Sequence, residues 1–267
     1  MAPSAHLVLI LGMHRSGTSV LTRALPVFKI DIGQHYLARA DNPKGFFEEA
    51  NFVKLNELLF KQLSLTWDNP APISPEALRK LARGDLGKLA EQYLTAIIGE
   101  KSWFGLKDPR TSRLLPFWLV IAHKLKIKLK FILSLRNPLN VAASLAKRDG
   151  FSQELSAKLF VAYLKDCLTA AKGWPILVIS YDALLQDPAR ELVRMSEFFE
   201  LGQDQSASTL FRQSFLEQGL CHHQEEGQST NDQAIQEALK IYAALEPYAA
   251  MPAQRDLTQI WGDGPKI

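Results

Sequence analysis

Short apolar runs alternate with amphipathic segments along most of the chain. Four runs have the length and composition of buried strands, at residues 6–11, 103–106, 128–135 and 176–180. Segments with the apolar spacing of helices lie between and after them, at 17–25, 51–63, from 74 onward, 85–98, 113–123, 138–148, 152–171, 188–199 and 232–245. Strands that alternate with helices predict an α/β fold of three layers (α/β/α), with a central, mostly parallel sheet and helical insertions.

No repeat, low-complexity tract or linker divides the 267 residues, so we expect one domain over 1–267. Within it, 51–100 is predicted as a helical cover and 203–267 as a C-terminal part of loop and helices. The polar stretch 203–228 is predicted as a lid or loop.

The longest apolar runs fall short of the roughly 20 residues of a membrane helix, so no transmembrane segment is expected. The first run leads into a glycine loop, which favours a buried strand over a signal peptide. The two cysteines, Cys167 and Cys221, have no CxxC partner, and a reducing cytoplasm is the expected location.

The charge of the chain is unevenly distributed. The 31 Lys and Arg against 28 Asp and Glu give a net charge of only +3, yet 109–148 contains nine cations and no acid. This pattern indicates local anion binding. Four alternating lysines at 124–130 suggest a nucleic-acid patch, but apolar residues lie between them and aromatic interleaving is absent. A solvated strand or edge face is therefore favoured, and no nucleic-acid partner is expected.

The sequence Gly-Met-His-Arg-Ser-Gly-Thr-Ser at 12–19 follows the first predicted strand and precedes a helix. Glycines allow a tight turn whose N–H groups face one concavity, and the helix N-terminus and hydroxyl side chains favour a phosphate there. Thr18 occupies the position of the Walker A lysine, and the cation lies earlier, at Arg15. The loop therefore disfavours a magnesium-ATP enzyme, while an ordinary strand–turn–helix connection remains the alternative.

A second candidate anion site comprises Arg136, at the end of a predicted strand, and Ser144, two helical turns along the next helix. An arginine and a hydroxyl in this arrangement can bind one phosphate from two sides. The alternative is a solvated arginine and a buried small residue. The sequence Lys-Asp-Pro-Arg at 107–110 follows another strand and should project from the same sheet edge.

These motifs resemble those of sulfotransferases that use 3′-phosphoadenosine 5′-phosphosulfate (PAPS), including bacterial members and tyrosylprotein sulfotransferases. The resemblance covers about residues 7–187. It implies a P-loop-containing fold, PAPS as sulfuryl donor, adenosine 3′,5′-bisphosphate as product, and no metal. The residues that it assigns to the donor's 5′ side are Gly12, His14, Arg15, Ser16, Gly17, Thr18 and Ser19, with Arg136 and Ser144 at the 3′-phosphate.

The resemblance also implies catalytic residues. Lys107 matches the lysine that aids departure of the bridging oxygen, and Arg15 would help to stabilise charge on the donor. The segment Asn-Pro-Lys-Gly-Phe-Phe-Glu-Glu at 42–49 resembles one in bacterial members, which makes Glu48 the first candidate for general base, ahead of Glu49 and His14. Both glutamates would equally suit the start of the following helix.

The remaining matches are less specific. Tyr181 corresponds to a residue near the adenine or is a core aromatic, and Cys221 replaces the arginine of a family Leu-Arg-His segment. Cys221, His222 and His223 are also residue types that bind zinc, but they are adjacent in sequence and lack a fourth ligand. The tryptophans at 67, 103 and 118 would line an acceptor cleft or belong to the core.

The expected activity is sulfuryl transfer to a hydroxyl or amine. The acceptor is first expected to be a saccharide or glycolipid, with a peptide tyrosine or a small metabolite also compatible. A P-loop nucleotide kinase and a catalytically silent nucleotide-binding or scaffold protein remain alternatives, and the oligomeric state is open.

Overall fold

Four parallel strands form the sheet at the centre of the computed structural model, which describes residues 5–34, 47–215 and 232–251. They are β1 (His6–Leu11), β2 (Trp103–Lys107), β3 (Lys128–Leu135) and β4 (Ile176–Ser180), in the spatial order β2-β1-β3-β4. Ile10 pairs with Lys107 and Leu135 pairs with Ser180, so the strands end at one edge. The predicted parallel sheet is confirmed, but β3 is central, so its lysines do not lie on an edge strand.

Eleven α-helices lie in the described ranges: α1 (Thr18–Ala24), α2 (Ala50–Gln62), α3 (Pro75–Arg83), α4 (Asp85–Ile98), α5 (Thr111–Lys124), α6 (Pro138–Asp149), α7 (Gln153–Ala170), α8 (Tyr181–Gln186), α9 (Pro188–Phe199), α10 (Gln205–Phe215) and α11 (Gln233–Ala250). Their starts follow local sequence. Ser74 and Ser152 accept hydrogen bonds from the backbone N–H groups of α3 and α7, and Pro138 occupies the first turn of α6.

The alternating side chains of β1 divide the core into two layers. Leu7, Leu9 and Leu11 pack on the face covered by α5, α7 and α11, together with α2 to α4. Val8 and Ile10 pack on the opposite face with α1, α9 and α10. Because both faces are covered, the strands are apolar throughout, and the α/β/α layering expected from the sequence is present.

The structure differs from the expectations in three segments. One is α8 (Tyr181–Gln186), where the sequence predicted no helix. Residues 205–215, expected as lid or loop, form α10, while 216–228 lie outside the described residues. The helix predicted over 17–25 ends as α1 at Ala24, and the chain continues as a 3₁₀ turn, Leu25–Phe28. Within the described ranges, no helix combines the length and apolarity needed to span a bilayer.

Candidate functional site

Each of the four parallel strands delivers a predicted site residue to the same edge of the sheet. The loop at 12–17 follows β1, Lys107 ends β2, Arg136 follows β3 and Tyr181 follows β4. The carboxyl edge of a parallel α/β sheet is where ligands bind in such folds. The structure therefore brings together groups that are up to 169 residues apart in sequence.

Two serines that the sequence analysis did not identify fix the loop after β1. Gly12 N–H donates to Ser112 Oγ at 2.8 Å, and this hydroxyl donates to Gly12 C=O at 3.1 Å. Ser134 Oγ donates to the carbonyl of Ser16 at 2.7 Å. The hydroxyl of Ser16 itself donates to Met13 C=O at 2.7 Å, which closes a tight turn. The loop is thus held in shape by buried hydroxyls before any ligand binds.

Arg15 connects this loop to the second predicted anion site. It has a left-handed backbone (φ 67°), which is uncommon for a residue with a side chain. Its Nε donates to Ser144 Oγ at 2.9 Å, and its carbonyl accepts from Arg136 Nη1 at 2.9 Å. The guanidinium of Arg136 also lies 4.6 Å above the ring of Tyr181. The two anion sites predicted separately therefore form one cluster.

Gly17 allows this aromatic ring to approach the loop. It has φ of 95°, and a Cβ placed on it would lie 2.2 Å from Tyr181 Cδ2. Only glycine fits both conditions. Thr18, the next residue, is buried at the first position of α1.

Lys107 and Glu48 form a buried ion pair beside the loop. Lys107 Nζ lies 2.8 Å from Glu48 Oε1 and 3.3 Å from Ser19 Oγ, and the two paired side chains are 1% and 8% exposed. Burial lowers the pKa of Lys107, and the carboxylate of Glu48 opposes this shift. A cation of lowered pKa beside a carboxylate is an arrangement suited to proton transfer and charge stabilisation.

Glu49, the neighbouring candidate base, has different contacts. It is the N-cap of α2, and its Oε2 accepts hydrogen bonds from Phe52 N–H at 2.8 Å and from Tyr93 Oη at 2.6 Å. Burial raises the pKa of Tyr93, and the hydrogen bond to Glu49 adds to that shift. The carboxylate of Glu49 is thus engaged in starting the helix, whereas that of Glu48 faces Lys107.

The three tryptophans lie in different environments. Trp118 is buried and donates to Asn56 Oδ1 at 2.9 Å, as a core residue does. Trp103 lies at the start of β2, stacked on His6 with centroids 4.1 Å apart, away from the carboxyl edge. Trp67 lies 4.4 Å from the ring of His14 in the loop, so it alone of the three borders the site.

Several predicted features lie outside the described residues. These are positions 42–46 of the segment that ends in the two glutamates, and the cluster of Cys221, His222 and His223. Over the parts of the chain that are described, no three His, Cys, Asp or Glu side chains come together in a group able to hold a metal ion.

A family model described as "Sulfotransferase domain" matches residues 6–218. The sulfotransferase domain of the Synechococcus PCC 7002 olefin synthase is 14% identical and superposes with a TM-score of 0.56, over 91% of this chain and 96% of that one. A sulfotransferase from Mycobacterium tuberculosis H37Rv is 13% identical, with a TM-score of 0.48 over 94% of this chain and 78% of that one. No curated protein sequence gives a significant match. The chain belongs to the sulfotransferase domain family, and it has the P-loop-containing α/β fold of its structural neighbours.

Proposed function

We propose that this member of the sulfotransferase family transfers a sulfuryl group from PAPS to a hydroxyl or amine of its acceptor. One observation carries the proposal. The loop cation Arg15 is hydrogen-bonded to Ser144 and Arg136, and this cluster shares a sheet edge with the pair of Lys107 and Glu48. Groups for both ends of a bisphosphorylated nucleotide thus lie beside a cation and a candidate base.

The residues present fit such a donor. The Nε of Arg136 is buried and has no hydrogen-bond partner within the described ranges. A buried donor without a partner is costly, and a phosphate oxygen would satisfy it. We assign the 3′-phosphate to Arg136 and Ser144, the 5′-phosphosulfate to the loop 12–19, and the adenine to the ring of Tyr181.

The pair of Lys107 and Glu48 would perform the proton chemistry. As the acceptor oxygen forms a bond to sulfur, the bond from sulfur to the bridging oxygen breaks, and the acceptor proton passes to Glu48. Lys107 would stabilise the negative charge that develops on the bridging oxygen. When its ammonium turns toward that oxygen, the carboxylate of Glu48 is released from the ion pair and can receive the acceptor proton.

The donor assignment is tested by calorimetry on Arg136→Ala with adenosine 3′,5′-bisphosphate and adenosine 5′-phosphate. A charge-assisted hydrogen bond contributes about 1.5–3 kcal/mol, so we expect the bisphosphate to bind about 10- to 100-fold more weakly and the monophosphate to weaken much less. Arg79→Ala, which removes a half-exposed arginine paired with Glu76 on α3, is the matched control. Equal weakening of both nucleotides would remove the 3′-phosphate assignment.

The base assignment has a separate test. Glu48→Gln should abolish sulfated product in an acceptor screen while the affinity for adenosine 3′,5′-bisphosphate stays near that of the wild type. Retained turnover would move the role to His14 or Glu49. Wild-type protein that binds the bisphosphate but sulfates no acceptor would favour the silent scaffold, and magnesium-dependent use of ATP would favour the kinase.

A further inference from the structure

A cavity of about 410 Å³ lies where α2 ends and the chain turns toward α3. Phe60, Leu65 and Trp67 give it an apolar wall. Its principal polar groups are those of Glu57, Asn69 and Arg110. This size is within the range of small-molecule sites, which are mostly apolar with a few placed polar groups.

Two residues that line the cavity interact with residues of the candidate site. Arg110, in its lining, follows Lys107 by three residues, is buried, and interacts electrostatically with the carboxylate of Glu48. Trp67, also in the lining, contacts His14 of the phosphate loop. A molecule in the cavity would therefore lie next to the site where the proposed transfer takes place.

Hydrogen bonds from two buried side chains fix the wall of the cavity. Tyr163 Oη donates to the carbonyl of Trp67 at 2.9 Å. The guanidinium of Arg113 donates to the carbonyls of Asn69 and Ala71, and its Nε donates to Asp166 at 2.8 Å. A wall held in this way loses little conformational entropy when a ligand binds.

The charges in the cavity balance each other. Nη1 of Arg110 lies 3.1 Å from Asp108 Oδ1, and its Nη2 lies 3.4 Å from Glu57 Oε1. Lys61, at the exposed rim, is screened by water. A charged acceptor would lose hydration on entering and would find its counter-charge already engaged. The cavity therefore suits an uncharged molecule.

The aromatic ring in the wall is already packed. Trp67 contacts His14, lies 5.6 Å from the ring of Phe151, and has the guanidinium of Arg148 at 5.5 Å. A pyranose stacks on a bare aromatic face, and a ring with these three neighbours offers little of one. The cavity therefore favours a compact apolar body over a sugar ring.

We propose that this cavity is the acceptor site and that it takes an uncharged hydroxyl compound with an apolar, ring-sized body. The inference rests on the proposed sulfuryl transfer, and it narrows the acceptor from the range that the sequence left open. The hydroxyl would point from the apolar wall toward Glu48, and Arg110 would line the entrance between them.

The experiment measures binding of 2-naphthol by its fluorescence, with saturating adenosine 3′,5′-bisphosphate present. The comparison ligands are 2-naphthoate, which has the same rings and a charge, and methyl β-D-glucopyranoside, measured by calorimetry. We expect 2-naphthol to bind at least tenfold more tightly than either. Thr66→Trp, which fills the cavity from its lining, should weaken 2-naphthol at least tenfold. Gln62→Trp, at an exposed position near the end of α2 outside the lining, is the matched control and should change affinity less than twofold.

A second variant tests the charge balance without altering the shape. Glu57→Gln neutralises one of the two carboxylates that pair with Arg110. The affinity for 2-naphthoate should therefore rise about two- to fivefold, while the affinity for 2-naphthol should stay unchanged. The inference would be overturned if the wild type bound the glucoside or 2-naphthoate more tightly than 2-naphthol. It would also be overturned if Thr66→Trp and Gln62→Trp lowered the affinity for 2-naphthol equally. Those outcomes would remove the acceptor assignment but would leave the binding of adenosine 3′,5′-bisphosphate, and with it the proposed function, unaffected. Failure of the bisphosphate itself to bind would instead refute the proposed function, and the acceptor assignment with it.

Discussion

The buried pair of Lys107 and Glu48 should make the chain sensitive to Glu48→Gln. The ammonium is 1% exposed and lies 2.8 Å from the carboxylate, so the substitution leaves a buried lysine without its counter-charge. Breaking a buried ion pair on one side typically costs about 3–5 kcal/mol. The cost has an upper limit, because lysine can instead release its proton. Releasing it at pH 7 from an ordinary pKa near 10.4 costs about 4.6 kcal/mol, at about 1.36 kcal/mol for each pH unit. Since glutamine retains one hydrogen-bond acceptor, we expect about 3 kcal/mol.

Thermal unfolding at pH 7 and pH 9.5 measures this effect. For a chain of this size, about 3 kcal/mol corresponds to a fall in Tm of about 6–12 °C. The pKa of Lys107 is lowered in the folded state, so the unfolded chain binds more protons between that value and about 10.4, and stability rises with pH across this window. Loss of Glu48 lowers the pKa of Lys107 in the folded state further, so the pH range over which stability rises becomes wider. The difference in Tm between Glu48→Gln and the wild type should therefore be smaller at pH 9.5 than at pH 7.

The matched control is Glu91→Gln. Glu91 Oε1 lies 2.7 Å from Lys124 Nζ, but these side chains are 28% and 40% exposed. The substitution should therefore lower the free energy of unfolding by less than about 1 kcal/mol. The reasoning about the buried pair is refuted if Glu48→Gln costs no more than this control. It is also refuted if the gap between Glu48→Gln and the wild type fails to narrow at the higher pH.

Three further predictions concern the loop, the second anion site and the cavity wall. Gly17→Ala should displace the ring of Tyr181 and weaken adenosine 3′,5′-bisphosphate at least tenfold in calorimetry, whereas Gly202→Ala, where a Cβ meets nothing within 4 Å, should leave binding unchanged. Ser144→Ala should weaken the bisphosphate about 10- to 100-fold, the contribution of one hydrogen bond to a charged phosphate, and an unchanged affinity would exclude its phosphate role. In Arg113→Lys, the lysine cannot form the hydrogen bonds that the guanidinium makes to three partners, so the free energy of unfolding measured in urea should fall by about 3 kcal/mol. A fall below about 1 kcal/mol would show that the cavity wall does not depend on Arg113.

The sheet and the edge where the site lies could be predicted from the sequence, because strands buried on both faces are continuous apolar runs. β1 and β3 begin and end where their apolar runs do. By contrast, α10 was missed because its composition is polar. Among residues 205–213, Ala207 and Phe211 pack against the core one turn apart, and Ser208 is buried between them.

Contacts within the site could be predicted only in part. The resemblance assigned both Arg15 and Ser144 to the donor, but spacing cannot show that residues 129 apart form a hydrogen bond. Glu48 and Glu49 are identical in type and adjacent, so the sequence could not show that one pairs with Lys107 and the other caps α2. The serines that fix the loop, Ser112 and Ser134, are single small residues in unrelated segments, and their only signal is a polar side chain in a buried position.

The donor assignment is tested most directly by calorimetric comparison of adenosine 3′,5′-bisphosphate, ADP and ATP on the wild-type chain, each with and without magnesium. We predict that the 3′,5′-bisphosphate binds at least tenfold more tightly than ADP or ATP and that magnesium leaves its affinity unchanged. ATP binding that is tighter and depends on magnesium, or a bisphosphate that binds no better than ADP, would contradict the assignment of Arg136 and Ser144 to a 3′-phosphate.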